Sequence, residues 1–519
     1  MRVLLIIMAG ELKPDAVVFD TEKGTLLLSV LSSDIDFPEV LRKYAESYGL
    51  KEKDEPHITI FGFDVGKRIL DRIEKSSGNA GESIVDNIHS IINDTDWTFT
   101  LKNEAYRISK TFTRSDGEDE MRESIIQMID IEAIKEFLDK INALLSVHLS
   151  IPPLHITLFS KSSNEENMLA GIGVSSADDL RKRNPVPIDF VPKDEYVRVK
   201  TIYTPSRPQT DTCIAILILR RYGKDIFPGI EDANYEVVPR LGEGDTEESL
   251  RSEGIFLIDV GGGVFDHHNK PFQTIVSHLV ARFLEVDNNQ ALAKLLQIAE
   301  RDDFFGKGVI SEDPLDRAFG LPSLITVLNK KFVKEPGQVI ETILPVLEAF
   351  LDEEIQRVFE IPKEFKEKTE QGKTYTFMVR QGKESYKCIY IESDNVSMAG
   401  FLRARAGGNY DVVAVRLSSG HVNILTRQTT RADLRSLVVL LRMQEADAKG
   451  ITIDSDAKEV AVAGTFPSIP EWFYDTATNS IFNGGPNPVG ISPTKIDSLE
   501  FLKLLEIGLS QALWVPPKI

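Results

Sequence analysis

The sequence predicts three mixed α/β bodies in one chain. These are a two-lobed α+β domain at 1–192, an α/β domain with a doubly wound, largely parallel sheet at 193–335, and, after a helical connector at 336–372, an α+β domain at 373–519. Three observations carry this. A helix-then-strand order occurs twice in the first 190 or so residues, strands alternate with helices from about residue 197, and hairpin-like strands flanked by helices fill the last third. With 519 residues, one hydrophobic core is excluded.

Each element has a local reason. Val3–Met8 is apolar but too short for a signal-peptide core and reads as a first strand. Val17–Val30 suits a hairpin, Phe37–Tyr48 a helix and His57–Phe61 a strand; Ile131–Leu145 and Leu154–Phe159 then repeat helix and strand around a break at Ser150–Pro153. The Pro- and charge-rich stretch Arg181–Lys193 reads as a linker. Beyond it, strands at Val197–Tyr203, Tyr235–Val238 and Ile255–Asp259 alternate with helices at Thr212–Tyr222, Thr274–Leu284 and Gln290–Glu300, the order of a parallel sheet. Val339–Phe359 is a long amphipathic segment and Lys363–Lys373 a charged, solvated connector. Strands around Thr374–Glu392 and Tyr410–Thr426 and helices near Leu434–Ala446 and Ser498–Gln511 complete the chain.

Composition narrows the partners. Hydrophobic residues at 42% and charged residues at 27% are those of a globular chain. Against 60 Lys and Arg stand 80 Asp and Glu, and a net charge of -20 repels long duplex nucleic acid while leaving room for a small nucleotide or a short RNA end in a locally basic pocket. Two cysteines, Cys213 and Cys388, build neither a disulfide framework nor a cysteine zinc site, and no apolar run reaches the roughly 18 residues of a membrane span. A cytoplasmic protein without a membrane partner is expected.

The first chemical signal is a pair, His57-Ile58-Thr59-Ile60 and His155-Ile156-Thr157-Leu158, each on an expected strand. Alternation puts His and Thr of each on one face, so four polar groups converge if the strands are neighbours. Two imidazoles at one phosphate supply a general base and a general acid with no metal, and two hydroxyls donate to its oxygens. Over residues 1–190 or so, these motifs resemble those of the two-histidine phosphoesterase superfamily, which includes the LigT-like RNA ligases and cyclic phosphodiesterases. The resemblance implies His57, Thr59, His155 and Thr157 as catalytic residues and a 2',3'-cyclic phosphate or 2'-5' linkage as substrate.

The second signal follows the strand at Ile255: Asp259-Val260-Gly261-Gly262-Gly263-Val264-Phe265-Asp266-His267-His268. A strand-end Asp and an Asp-His-His loop offer the oxygen and imidazole donors of a Mn²⁺ or Mg²⁺ site, and the glycines let backbone approach a phosphate. The bland alternative makes Asp266 and Asp302 caps. From about 197 to 330 the chain resembles the DHH phosphoesterase superfamily of RecJ-like nucleases and family II pyrophosphatases. That resemblance implies Asp211, Asp259, His267 and one of Asp302 and Asp303 as ligands of one metal, with His268 facing the phosphate. The family's first motif is altered: Pro205-Ser206-Arg207-Pro208-Gln209-Thr210-Asp211 keeps one Asp, puts Gln209 in place of the other and lacks the His. The companion ion is expected to be lost, with Gln209 left as a substrate contact.

A weaker signal, Ser418-Ser419-Gly420-His421, resembles the Gly-rich, His-containing turn of the substrate-binding domain that often follows a DHH domain, with Arg416 and Arg427 beside it and an ordinary hairpin turn as the alternative. The expected function is phosphoester hydrolysis on short RNA ends or small nucleotides. The rival expectation is a nucleotide sensor whose DHH-like domain binds without cutting.

Overall fold

A computed structural model describes residues 11–35, 37–75, 79–114, 116–190, 196–306, 311–429, 431–484 and 490–510. The expected strand Val3–Met8, the end of the expected linker and Gln511, the end of the last expected helix, lie outside these residues. The fold is mixed α/β with an antiparallel, a parallel and a mixed sheet. It divides into two compact units, Met1–Ala349 and Phe350–Ile519.

The first unit opens with eight strands: β1 (Ala16–Asp20), β2 (Thr25–Ser29), β3 (Lys51–Glu52), β4 (His57–Phe61), β5 (Thr100–Thr113), β6 (Asp119–Asp130), β7 (His155–Ser162) and β8 (Val186–Ile188). Their order is β1-β2-β4-β7-β6-β5-β8, with β3 paired to β7, and every pairing is antiparallel. One face is apolar. Leu26, Leu28, Ile58, Ile60, Ile125 and Ile156 pack there against Leu41, Ile69, Phe137 and Ile141 from the covering helices. The other face carries the polar residues of β4 and β7.

The expected linker is partly structure. Ala177–Arg181 is helical, and β8 pairs with β5, setting Pro187 opposite Tyr106. Proline lacks a donor and so reads as a breaker, but an edge strand tolerates it because its outer side needs no ladder bond.

The same unit continues with a parallel sheet of β9 (Thr201–Thr204), β10 (Asn234–Val237) and β11 (Ile255–Leu257) in the order β10-β9-β11. Three strands are described, so the parallel pairing is present in a sheet smaller than the doubly wound one expected. The helix Thr210–Tyr222 is buried from Thr210 to Leu219, which explains its unbroken apolar run Cys213–Leu219. Helices Val276–Phe283 and Ala293–Phe305 pack beside it.

Ion pairs join the two sheets' modules. Arg107 meets Glu285 at 2.7 Å, Lys270 meets Glu104 at 3.5 Å, and Arg251 Nη1 meets Asp189 at 2.7 Å. The last pair is buried, and Glu247 also accepts from Arg251 at 2.8 Å.

The helix Gly337–Ile355 carries the chain past the boundary between units. Lys363–Lys373, expected as a solvated connector, is mostly helix Ile361–Glu370, because Ile361 is buried and Phe365 packs beside it while the charges face water. The second unit holds β12 (Thr374–Gln381), β13 (Glu384–Glu392), β14 (Val412–Arg416), β15 (Val422–Thr426), β16 (Gly464–Phe466), β17 (Ile469–Asp475) and β18 (Ser480–Phe482). The order is β12-β13-β14-β15-β18-β17-β16, with β13–β14 parallel and the other pairs antiparallel.

Removing Arg251 strands the buried Asp189 and the half-buried Glu247 carboxylates, and a buried pair that loses one partner costs about 3–5 kcal/mol. Arg251→Ala is therefore expected to lower the unfolding free energy, read from urea titration, by that amount. A change under about 1 kcal/mol would mean that water already solvates Asp189 and Glu247.

Candidate functional site

The two His-x-Thr motifs lie on adjacent strands. Ile58 of β4 pairs with Ile156 of β7, and in an antiparallel register this sets His57 beside Thr157 and Thr59 beside His155. Ile58 and Ile156 point into the core, so all four polar side chains occupy the opposite face.

Both motifs end in an extra residue. Leu27 pairs with Thr59 and Leu26 with Phe61, leaving Ile60 unpaired; Ile126 pairs with Thr157 and Ile125 with Phe159, leaving Leu158 unpaired. Matching bulges thus follow both threonines, the device by which sheets re-aim side chains beside functional sites.

The imidazoles are held alike. His155 Nδ1 lies 2.6 Å from the carbonyl of Pro153, two residues upstream, which assigns the proton to Nδ1 and leaves Nε2 as the base. At His57 the backbone carbonyl of Glu55, again two residues upstream, favours the protonated ring but is outweighed. Burial lowers the pKa of both rings, and it is reinforced at His57 by Lys53 and at His155 by His57. Both are neutral near pH 7. His155 and Thr157 are buried, His57 and Thr59 half-buried, and neither threonine hydroxyl has a hydrogen-bond partner among the described residues.

Sequence reasoning missed Lys53. A Cβ at Gly171 would lie 3.6 Å from Lys53 Nζ and 3.7 Å from Thr157 Cγ2, so lysine, threonine and the segment carrying Gly171 meet at one place. Burial lowers the Lys53 pKa, and no carboxylate pairs with its ammonium among the described residues. Its signal was faint: one lysine in the run Lys51-Glu52-Lys53-Asp54-Glu55.

The second cluster stands at the end of β11. Asp259 takes a left-handed φ of 59°, unusual for a residue with a side chain, and its backbone N–H donates to Phe265 at 2.8 Å to close the loop. Gly262 (φ 73°) completes the turn, and a side chain at Gly263 would strike the Glu247 carboxylate, its Cβ 2.3 Å from Oε2.

Asp266 organises this loop. Its carboxylate accepts from Gly262 N at 2.8 Å, His268 N at 3.0 Å and His268 Nδ1 at 2.7 Å, which leaves the other nitrogen of the exposed His268 ring unengaged. Burial works against its charge but is outweighed by these donors, so its pKa is lowered.

Asp259, Asp266, His267 and His268 each present one ligand atom, all within 4.8 Å of one another. Asp259 Oδ1 and His267 Nδ1 are 2.9 Å apart, yet both are buried without a well-formed hydrogen bond. Two donor atoms converging in this way fit a shared cation, and an imidazole with carboxylates suits Mn²⁺ or Mg²⁺. Without a cation, burial is overcome by Asp259, Asp211 and Asp303, and the His267 pKa rises to about 9.

The other expected ligands are placed differently. Asp211 Oδ2 accepts from Val276 N at 2.7 Å and Oδ1 from Ser277 N at 2.9 Å, so its carboxylate caps the helix Val276–Phe283, 3.9 Å from His267 Nδ1. Burial and then Asp259 push its pKa up to about 6. Asp303 approaches His267 Nε2 at 3.8 Å, whereas Asp302 accepts from Thr210 at 2.7 Å. Gln209 starts the helix Thr210–Tyr222; its N–H donates to Thr212 Oγ1, which donates to Asp259 Oδ2 at 2.7 Å. Asp266, expected as a donor of the Asp-His-His loop but not included in the ligand set that the resemblance implies, is the residue that holds the loop together.

In the second unit His421 is buried, its Nδ1 2.9 Å from Ser419 Oγ and its Nε2 3.1 Å from the Ile491 carbonyl. Both nitrogens are engaged in holding the turn. Arg416 contacts the Ile496 carbonyl at 3.3 Å and keeps a buried Nη1 without a partner, while Arg427 lies 3.8 Å from Asp411.

No protein-family model and no curated protein matches the chain. A solved structure titled an uncharacterized protein from Helicobacter pylori G27 aligns over 60% of this chain and 99% of its own at 10% identity, with a TM-score of 0.16. A likeness at that score carries no weight for fold or function.

Because His155 titrates below its ordinary 6.5, the unfolded chain takes up its proton first as pH falls. Its contribution is present above about pH 6.5 and is lost as pH drops below that toward the folded value. Urea midpoints are expected to fall between about pH 7.5 and about 5.5, and to fall less in His155→Gln. An equal fall in the variant would show that His155 titrates normally.

Proposed function

We propose that this chain is a phosphoesterase acting on short RNA ends or small nucleotides. The observation that carries it is the pairing of Ile58 with Ile156, which gathers two histidines and two threonines on one polar face. On this reading the first module opens a 2',3'-cyclic phosphate or a 2'-5' bond, as the resemblance to two-histidine phosphoesterases implies.

One neutral imidazole takes the proton of an attacking water as it bonds to phosphorus. The other, protonated when the phosphate charge raises its pKa, gives a proton to the departing ribose oxygen. Thr59 and Thr157 donate to the non-bridging oxygens, and Lys53 balances their charge. No metal takes part in this step.

In the DHH-like module, Asp259 and His267, with Asp266 and His268 beside them, would hold Mn²⁺ or Mg²⁺, which supplies Lewis-acid charge to a phosphoester oxygen. Asp266 orients His268 toward the open side of the site. Gln209 in place of a carboxylate limits the site to one ion.

A second reading, a nucleotide sensor, has its own support: both oxygens of Asp211 are engaged by a helix N-terminus. Turnover that needs the metal favours the enzyme; ligand-induced thermal stabilisation without turnover favours the sensor. The absence of any helix long and apolar enough to cross a membrane among the described residues, and two free, buried cysteines, suit the expected cytoplasmic setting.

With 2',3'-cyclic and 2'-5' dinucleotide substrates in EDTA, His57→Ala and His155→Ala are each expected to lose about 10²- to 10⁴-fold in kcat. Thr→Val at 59 or 157 should lower kcat with the fold intact. Wild-type turnover in both histidine variants removes the first module from this chemistry. Protein purified with Mn²⁺ should carry about one equivalent, and none in Asp259→Asn or His267→Ala. No bound Mn²⁺ in the wild type contradicts the metal reading.

A further inference from the structure

Arg181 and Lys182, in the segment that leads to β8, face the helices that follow the Asp-His-His loop across a cavity of about 340 Å³, which His278, Arg282, Glu300 and Phe304 also line. The size suits a small ligand. None of these residues belongs to the His-x-Thr face or to the Asp259–His268 cluster.

The charges do not balance. Arg181 pairs with Glu300 at 3.3 Å, and Lys182 pairs with Asp178, which also lines the cavity, at 2.6 Å. Those are the cavity's carboxylates, and both are matched. Half-buried Arg282 is left with the Pro185 carbonyl at 3.5 Å and, among the described residues, no carboxylate within ion-pair distance; Asp287 and Glu300 attract it only from farther off. A guanidinium withdrawn from water without a direct ion-pair partner is costly, and an anion between Arg282 and its neighbours offsets that cost. The field is felt at His278: burial, then Arg282 and Arg181, push its pKa down to about 4.

We propose that this cavity is a second ligand site, which binds a phosphate group, free or at the end of a small phosphomonoester, through Arg282, Arg181, Lys182 and His278. Two guanidinium forks, an ammonium and an imidazole converge from different directions, which matches the several oxygens of a tetrahedral anion. Phe304 at the wall, 5.6 Å below the Arg181 guanidinium, offers an apolar surface to the remainder of an ester. The anion would join the first module, through Arg181 and Lys182, to the helix Val276–Phe283.

The test is calorimetric titration of the full chain carrying His57→Ala and His268→Ala in EDTA, so that neither catalytic site contributes, with inorganic phosphate in one arm and adenosine 5'-monophosphate in the other. One saturable site per chain is expected, weakened at least tenfold by adding Arg282→Gln. Lys182→Glu, at an exposed position where folding is not at stake, should weaken it similarly. Binding of the nucleotide alone identifies an ester ligand and binding of phosphate identifies the free ion; either supports the site. Absence of saturable binding in both arms, or binding unchanged by both substitutions, overturns it.

Discussion

The pairing of β4 with β7 is the constraint on which the rest depends. Side chains alternate along a strand, so a slip of one residue in either strand would turn that strand's His and Thr into the core and bring its Ile58 or Ile156 out to water. The apolar contacts of Ile58, Ile60 and Ile156 with the covering helices therefore fix the chemistry of the opposite face. The bulges at Ile60 and Leu158 follow from the same pairing and end the alternation at the same point in both motifs. The His155 ring is fixed by the carbonyl two residues before it, and the carbonyl of Glu55 stands in the same sequence position relative to His57.

The second module rests on a different arrangement. Its Gly-rich loop is closed on itself by Asp266 and tied outward by Glu247, which accepts from Val264 N at 3.1 Å and from Arg251 at 2.8 Å. Arg251 in turn grips Asp189, just past the last strand of the first sheet. A continuous set of charged contacts thus runs from one sheet to the loop bearing the Asp-His cluster. These contacts help to hold the left-handed Asp259 in place.

What was legible in the sequence was what periodicity or a repeated motif marks. His57–Phe61 is a strand as read, the His-x-Thr pairs lie side by side, and the strands near 201, 235 and 255 pair in parallel. The long hairpin of β5 and β6 was not, because Thr100–Thr113 carries Lys102, Glu104, Arg107 and Lys110 among its apolar residues and has no clean alternation. Single residues whose role comes from tertiary neighbours were legible in part or not at all. Lys53 matters through the segment that crosses it, Asp266 through three donors brought to it by a turn, and Asp211 is drawn away by the N-terminus of a helix more than sixty residues downstream. His278 gave no sign, since only the fold brings Arg181 and Arg282 to it.

The central claim is that His57 and His155 act together on one phosphate, and a double-mutant cycle in EDTA tests it most directly. Groups that act as a unit are strongly non-additive. The variant with both histidines replaced by alanine is predicted to turn over a 2',3'-cyclic nucleotide at about the rate of the slower single variant. Losses that multiply would contradict the account, because they would mean that the two imidazoles contribute independently.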